Sequence, residues 1–146
     1  MYLSSLKINP KFKNKNTMTI TIKDETFAGK ILQEIILNFK SELVSVKEII
    51  TERVLCEVEN YNLKLPEYFN GLIEPSDAEK TLNGYKLKPK KLIDPEKQVY
   101  IALDAFLKNG FFILIDDVQS ESLEQMVELR HDTMISFIKL TPLIGG

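Results

Sequence analysis

Four residues, Ser45-Val46-Lys47-Glu48, constrain this chain more than any others. A serine followed three positions later by a glutamate, just ahead of an apolar run, is a capping box. The serine oxygen takes an orphan backbone N–H, and the glutamate reaches back to the cap. Val44 and Ile49 stand at the two positions of a hydrophobic staple. Beyond them Val46, Ile49, Ile50, Val54, Val58 and Tyr61 recur on one side. Ser45 to about Asn60 is therefore predicted to be an amphipathic helix with one apolar stripe, and such a stripe needs a second layer to cover.

The residues ahead of the helix supply that layer. Met18, Ile20 and Ile22 alternate with Thr17, Thr19 and Thr21, the period of a half-buried strand. Asp24-Glu25-Thr26 and Gly29 punctuate a connection. In the stretch from Lys30 to Phe39, the residues Gln33, Ile35, Leu37 and Phe39 share one face of a strand, whereas Phe27, Ile31, Ile35 and Phe39 would share one face of a helix. The β-branched content and the Gly29 break favour the strand, and with it a hairpin.

From Tyr61 to Ile93 the texture changes. Pro66, Gly71, Pro75, Gly84 and Pro89 interrupt it, so it reads as an insertion with little regular structure. Ser76-Asp77-Ala78-Glu79 is positioned to cap a short helix ending near Gly84. Asp94 then opens a second firm helix as N-cap, with Pro95 at the first position, where its missing N–H costs nothing. Val99, Leu103, Phe106 and Leu107 are its expected buried stripe and Gly110 its expected left-handed stop. Phe111 to Ile115 has strand length and is closed by Asp116-Asp117. Ser120 to Leu129 should hold a turn and a short strand, and Met134 to Leu140 the last strand. The fold class is α+β: a sheet with helical cover on one face. Residues 1–17, carrying Lys7, Lys11, Lys13 and Lys15, read as a flexible solvated lead-in, and residues 18–146 as one domain.

Composition excludes several roles. The net charge of −2 does not indicate a dedicated nucleic-acid binder. No apolar run approaches the length of a membrane span, so no membrane association is expected. The single cysteine, Cys56, can form neither an internal disulfide nor a cysteine-rich zinc site, and a reducing cytoplasm is the natural compartment. Cys56 reads as a partly buried structural thiol and His131, beside Asp132, as a surface turn residue. Asp116-Asp117 reads as an acidic turn rather than a metal pair, and the basic stretch Lys86, Lys88, Lys90, Lys91 as a solvated charge run. No glycine-rich phosphate loop precedes a helix, so ATP binding by the chain itself is not expected. Neither a metal nor a cofactor is implied, and no catalytic residue is singled out.

The end of the sequence is more specific. Ile135 and Phe137 alternate in the last strand, Pro142 follows, and Gly145-Gly146 closes the chain. With Asp132 ahead of them, and with Phe112-Ile113-Leu114-Ile115 as the penultimate core strand, these residues resemble the C-terminal half of the ubiquitin-like β-grasp superfamily. The resemblance is nearest to its bacterial sulfur carriers, the small subunit of molybdopterin synthase and the thiamine sulfur carrier. The helix opening Val46-Lys47-Glu48-Ile49-Ile50 is similar to the first helix of that family. Arg130-His131-Asp132 lacks the usual loop glycine, and the 61–93 insertion and second helix are additions to a simple carrier. The overall layout also resembles bacterial ubiquitin-like proteins of conjugation systems.

That resemblance implies a ubiquitin-like β-grasp fold, a mixed sheet with a packed helix, elaborated by the insertion and the second helix. It also implies that the chain is no enzyme but a protein modifier, activated at the Gly146 carboxylate with Gly145 as spacer. Its partners would be an adenylating enzyme, a conjugating enzyme, an isopeptidase and a target protein. The alternatives are a sulfur carrier bearing a thiocarboxylate at Gly146, or a non-covalent β-grasp interaction module. Leu143 and Ile144 would be read by the partner, with Pro142 ahead of them. By the period of two, Ile138 and Leu140 lie opposite Ile135 and Phe137. They form either part of a partner surface or a face covered by the insertion.

Overall fold

A computed structural model describes residues 17–87 and 91–140. The N-terminal lead-in through residue 16, Lys88 and Lys90 of the basic stretch, and the tail 141–146 lie outside the described residues.

The opening alternation forms β1, Met18–Glu25, which buries Met18, Ile20, Ile22 and also Asp24. β2, Ile31–Phe39, pairs with it antiparallel, so the strand alternative holds for this ambiguous stretch. β3, Leu43–Ser45, is short and leads straight into α1, Val46–Lys64. Ser45 caps that helix by accepting from the Glu48 N–H at 3.1 Å, and both staple residues, Val44 and Ile49, are buried. The helix runs four residues past Asn60 before Leu65 turns it off in the left-handed region, with Pro66 following.

The insertion departs from expectation. Ser76-Asp77-Ala78-Glu79 caps no helix. Asp77 is left-handed, and Ala78–Thr81 (β4) pairs antiparallel with Gly84–Leu87 (β5). The Thr81 hydroxyl holds the turn by donating to the Gly84 carbonyl and accepting from the Asn83 N–H. Nor does the segment lie apart from the fold, because Phe69, Leu72, Leu87 and Ile93 are buried in the main core.

α2, Pro95–Leu107, starts as predicted, with the Asp94 carboxylate accepting from the N–H groups of Glu96 and Lys97. Its buried face is rotated from the predicted stripe. Gln98, Ala102 and Phe106 are buried, Val99 and Leu103 are half-buried, and Leu107 is exposed. Ala102 is fully buried, and Gln98 satisfies its amide by donating to the Ile73 carbonyl at 2.7 Å. The left-handed stop is Asn109 rather than Gly110. Asn109 donates to Phe106 O and Gly110 to Ala105 O, the paired bonds of a Schellman end.

β6, Phe111–Ile115, turns through left-handed Asp116 and Asp117 into β7, Val118–Gln119. β8, Met126–Glu128, pairs with β3, and β9, Ile135–Lys139, is the last described element. The main sheet has the order β2-β1-β9-β6-β7. β9 lies parallel to β1 and antiparallel to β6, so the last strand occupies the middle of a mixed five-stranded sheet. The molecule is α+β, with the core between one sheet face and the helices. Ile20, Ile22, Val46, Ile50, Val54, Phe106, Ile113, Ile135 and Phe137 are buried as expected, whereas Leu103 and Ile115 are only partly so. Among the described residues no helix is long and apolar enough to cross a membrane.

Candidate functional site

Of the residues the sequence singles out at the C-terminal end, Ile138 and Leu140 are described; Pro142, Leu143, Ile144, Gly145 and Gly146 are not. The site that can be built is therefore the root of the tail, where β9 leaves the sheet. Ile138 lies on the face away from α1, between Phe112 of β6 and Glu25 of β1 in the ladder. It is 9% exposed, while Leu140 is 38% exposed. Phe27, on the turn after β1, meets Phe112 edge-on at 6.0 Å and is itself largely exposed. Phe27, Phe112, Ile138 and Leu140 are thus the apolar residues around the root. The insertion touches the other face: Asn70 O accepts from Gln33, and Gly71 O accepts from Lys139 at 3.1 Å.

Beneath the root lies a charged cluster that sequence reasoning missed. Arg53 of α1 is fully buried and grips Asp24 of β1 with both terminal nitrogens, Nη2 at 2.6 Å from Oδ2. Its Nε donates to Glu57 Oε1 at 2.9 Å, and its guanidinium lies 4.5 Å over the Phe137 ring. Gln33 donates to Asp24 Oδ2 at 2.7 Å. Two signals were legible. Asp24 continues the Met18-Ile20-Ile22 phase and so points inward, and Arg53 stands on the helix stripe with Glu57 at i+4.

The electrostatics follow from burial. Desolvation pushes the Glu57 carboxyl above its ordinary value despite the nearby Arg53 charge. Burial alone would lower Arg53, but Glu57 and Asp24 outweigh it and hold the guanidinium above its usual value. Burial draws the Lys139 ammonium down, with the Asp24 charge acting the other way. The cluster pairs two acids with two bases and joins β1, α1, β9 and the 66–75 loop. Its geometry suits holding the root of the tail in place.

Among the described residues no group resembles a nucleophile with its base. Burial raises the Cys56 thiol, which keeps it protonated and a poor nucleophile. His131 is exposed beside exposed Asp132 in the loop ahead of β9. Asp116 acts structurally, its carboxylate accepting from the Met134 N–H at 2.9 Å. Lys86 and Lys91 make surface ion pairs with Glu67 and Asp77. Among the described residues no group of three or more His, Cys, Asp or Glu is placed to hold a metal ion. A recess of about 270 Å³ opens between β2, the C-terminal half of α1 and the loop after it, walled by Gln33, Glu57, Tyr61 and Tyr68. No family model matches the chain, and neither a curated protein nor a solved structure matches it.

Proposed function

We propose that this chain is a ubiquitin-like β-grasp protein modifier that other enzymes act upon at its Gly146 carboxylate. The observation that carries the reading is the position of β9. The last strand is the middle strand of the sheet, parallel to the first and pinned beneath by Arg53 and Lys139. Seven residues ending in Gly145-Gly146 follow it in the sequence. The crossing of α1 over a mixed sheet in the order β2-β1-β9-β6-β7 supports the β-grasp assignment, with β4, β5 and α2 as elaborations.

The chemistry is that of a carrier. A Gly146 carboxylate oxygen attacks the α-phosphorus of ATP held by an adenylating enzyme, and pyrophosphate leaves. A partner thiolate then displaces AMP from the acyl-adenylate and forms a thioester. An amine of the target, deprotonated before attack, displaces that thiolate and completes an amide bond. Glycine at both terminal positions leaves the acyl carbon unhindered and lets the backbone lie close to the nucleotide. The outer-face residues Phe27, Phe112, Ile138 and Leu140 would give the adenylating enzyme an apolar surface to read, and Pro142, Leu143 and Ile144 would thread its channel.

The test is ATP-dependent transfer to a cognate adenylating enzyme, with intact mass read on the product. Gly146→Ala should sharply reduce transfer while thermal melting stays unchanged. A product with one oxygen replaced by sulfur, and no conjugates, would assign the sulfur-carrier chemistry instead. Undiminished transfer both by Gly146→Ala and by a chain ending at Ile144 would overturn the tail as the site and leave a non-covalent binding module.

A further inference from the structure

The sheet order leaves β2 at one edge, with no neighbouring strand on its far side among the described residues. Natural sheets protect such edges by keeping them short or by placing proline, a bulge or inward charge on them, because a bare ladder recruits another chain. The opposite edge obeys this rule: β7 is two residues long. β2 runs for nine residues, Ile31–Phe39, and contains no proline; its one irregularity against β1 is a bulge at Leu32, which leaves Gln33–Phe39 as a regular, unprotected run. It also exposes large apolar side chains, with Ile31 at 50%, Leu32 at 49% and Ile36 at 65%.

The charges on this strand select an occupant. Lys30 precedes it, Glu34 lies within it and Lys40 follows it. When two copies pair antiparallel about a two-fold axis, the register decides which charges meet. Full overlap, centred on Ile35, sets Lys30 opposite the partner's Lys40 at both ends, and like charges directly opposite are destabilising. Centring on Leu37 sets Glu34 opposite Lys40 twice, with Ile36 facing Asn38. Centring on Leu32 sets Lys30 opposite Glu34 but overlaps only residues 30–34, against 34–40 for the Leu37 register. Glu34, Ile36 and Asn38 share the outer face by the strand's period and Lys40 follows at the bend after the strand, so the Leu37 register keeps the inner faces of both copies on one side.

We propose that the chain self-associates through β2, pairing antiparallel about Leu37 with Glu34 opposite Lys40 of a second copy, to give one continuous sheet across the dimer. The edge is self-complementary in hydrogen bonding, shape and charge, which a heterologous strand would match only by chance.

Sedimentation of the full chain across a wide concentration range tests this. Wild type should shift reversibly from monomer to dimer. Glu34→Lys and Lys40→Glu each convert two opposite-charge pairs into two like-charge pairs. Each should weaken the dimer about tenfold, given the few tenths to one kcal/mol that a cross-strand charge pair contributes. The double swap Glu34→Lys/Lys40→Glu should restore wild-type association. Thermal melting of every variant controls for folding, since Lys40 also acts on Glu52 of α1. A wild-type chain that stays monomeric throughout, a dimer indifferent to the single swaps, or a double swap that fails to restore association would each overturn the proposal.

Discussion

Arg53 shows how much one buried charge can organise. It holds Asp24 and Glu57 away from water and lies against Phe137, so removing it leaves two carboxylates buried without their partner. Arg53→Leu should cost about 3–5 kcal/mol in a denaturant titration, the usual penalty for breaking a buried pair. Replacing all three, as Asp24→Leu/Arg53→Met/Glu57→Leu, should recover much of that loss, because apolar packing competes well with a desolvated ion cluster. Glu57 adds a pH signature. Its folded carboxyl is raised above the ordinary 4.5, so the folded state binds its proton more tightly than the unfolded state does. Its contribution to stability is full below pH 4.5 and declines as pH rises through the folded value. The stability difference between Glu57→Gln and wild type should therefore carry a slope confined to that window, measured by melting from acid toward neutrality. A flat difference would show that burial does not disfavour the Glu57 charge. This cluster was readable in part: phase alone puts Asp24 and Arg53 inside. That they meet each other is a tertiary fact, which no local period encodes.

The elements were most legible where capping chemistry marks their ends. Ser45 and Asp94 each begin a helix at the residue expected, because a side-chain oxygen satisfies orphan N–H groups there whatever surrounds the helix. The face of α2 was less legible. Apolar periodicity favoured Val99, Leu103, Phe106 and Leu107, but the helix buries the smaller Ala102 completely and leaves Leu107 63% exposed. Ala102→Leu should thus destabilise by about 1–3 kcal/mol through overpacking. Leu107→Ser should stay within about 0.5 kcal/mol, as expected of an exposed position. Paired thermal melts would check both, and a reversed order would mean that the helix is rotated. The β4–β5 hairpin was missed although Asn83 and Gly84 are turn-forming residues; the loop itself is Leu82-Asn83, with Gly84 already paired to Thr81. Its strands are short, and the Ser76-to-Glu79 spacing imitated a helix start.

At the scale of the molecule, the proposed modifier function makes the outer sheet face and the tail separate levers. On that proposal Ile138→Asp should weaken docking to an adenylating enzyme, read as a raised KM for transfer, while leaving the Gly146 carboxylate chemically intact. Because Ile138 is nearly buried, a melting curve must accompany it, and Leu140→Asp, at the more exposed neighbour, serves as the companion that spares the fold. Unchanged KM in both variants would sink the docking surface. The fold class and most strands were legible because binary pattern reports burial. The order of strands was not, since nothing local in Met18–Glu25 announces that its neighbour lies more than a hundred residues away at Ile135–Lys139. That pairing also bears on synthesis. Of the described strands a ribosome makes β1 before all the others and β9 after them, yet the two lie side by side in the sheet. Until β9 emerges, β1–β2 and β6–β7 are two separate ribbons without the strand that joins them. A chain stopped at Leu129 should remain without a stable sheet, shown by collapsed amide dispersion, and would be left to cellular proteases. Completion of β9 and acquisition of the fold are thereby the same event, so a nascent chain becomes protease-resistant only once that strand has emerged.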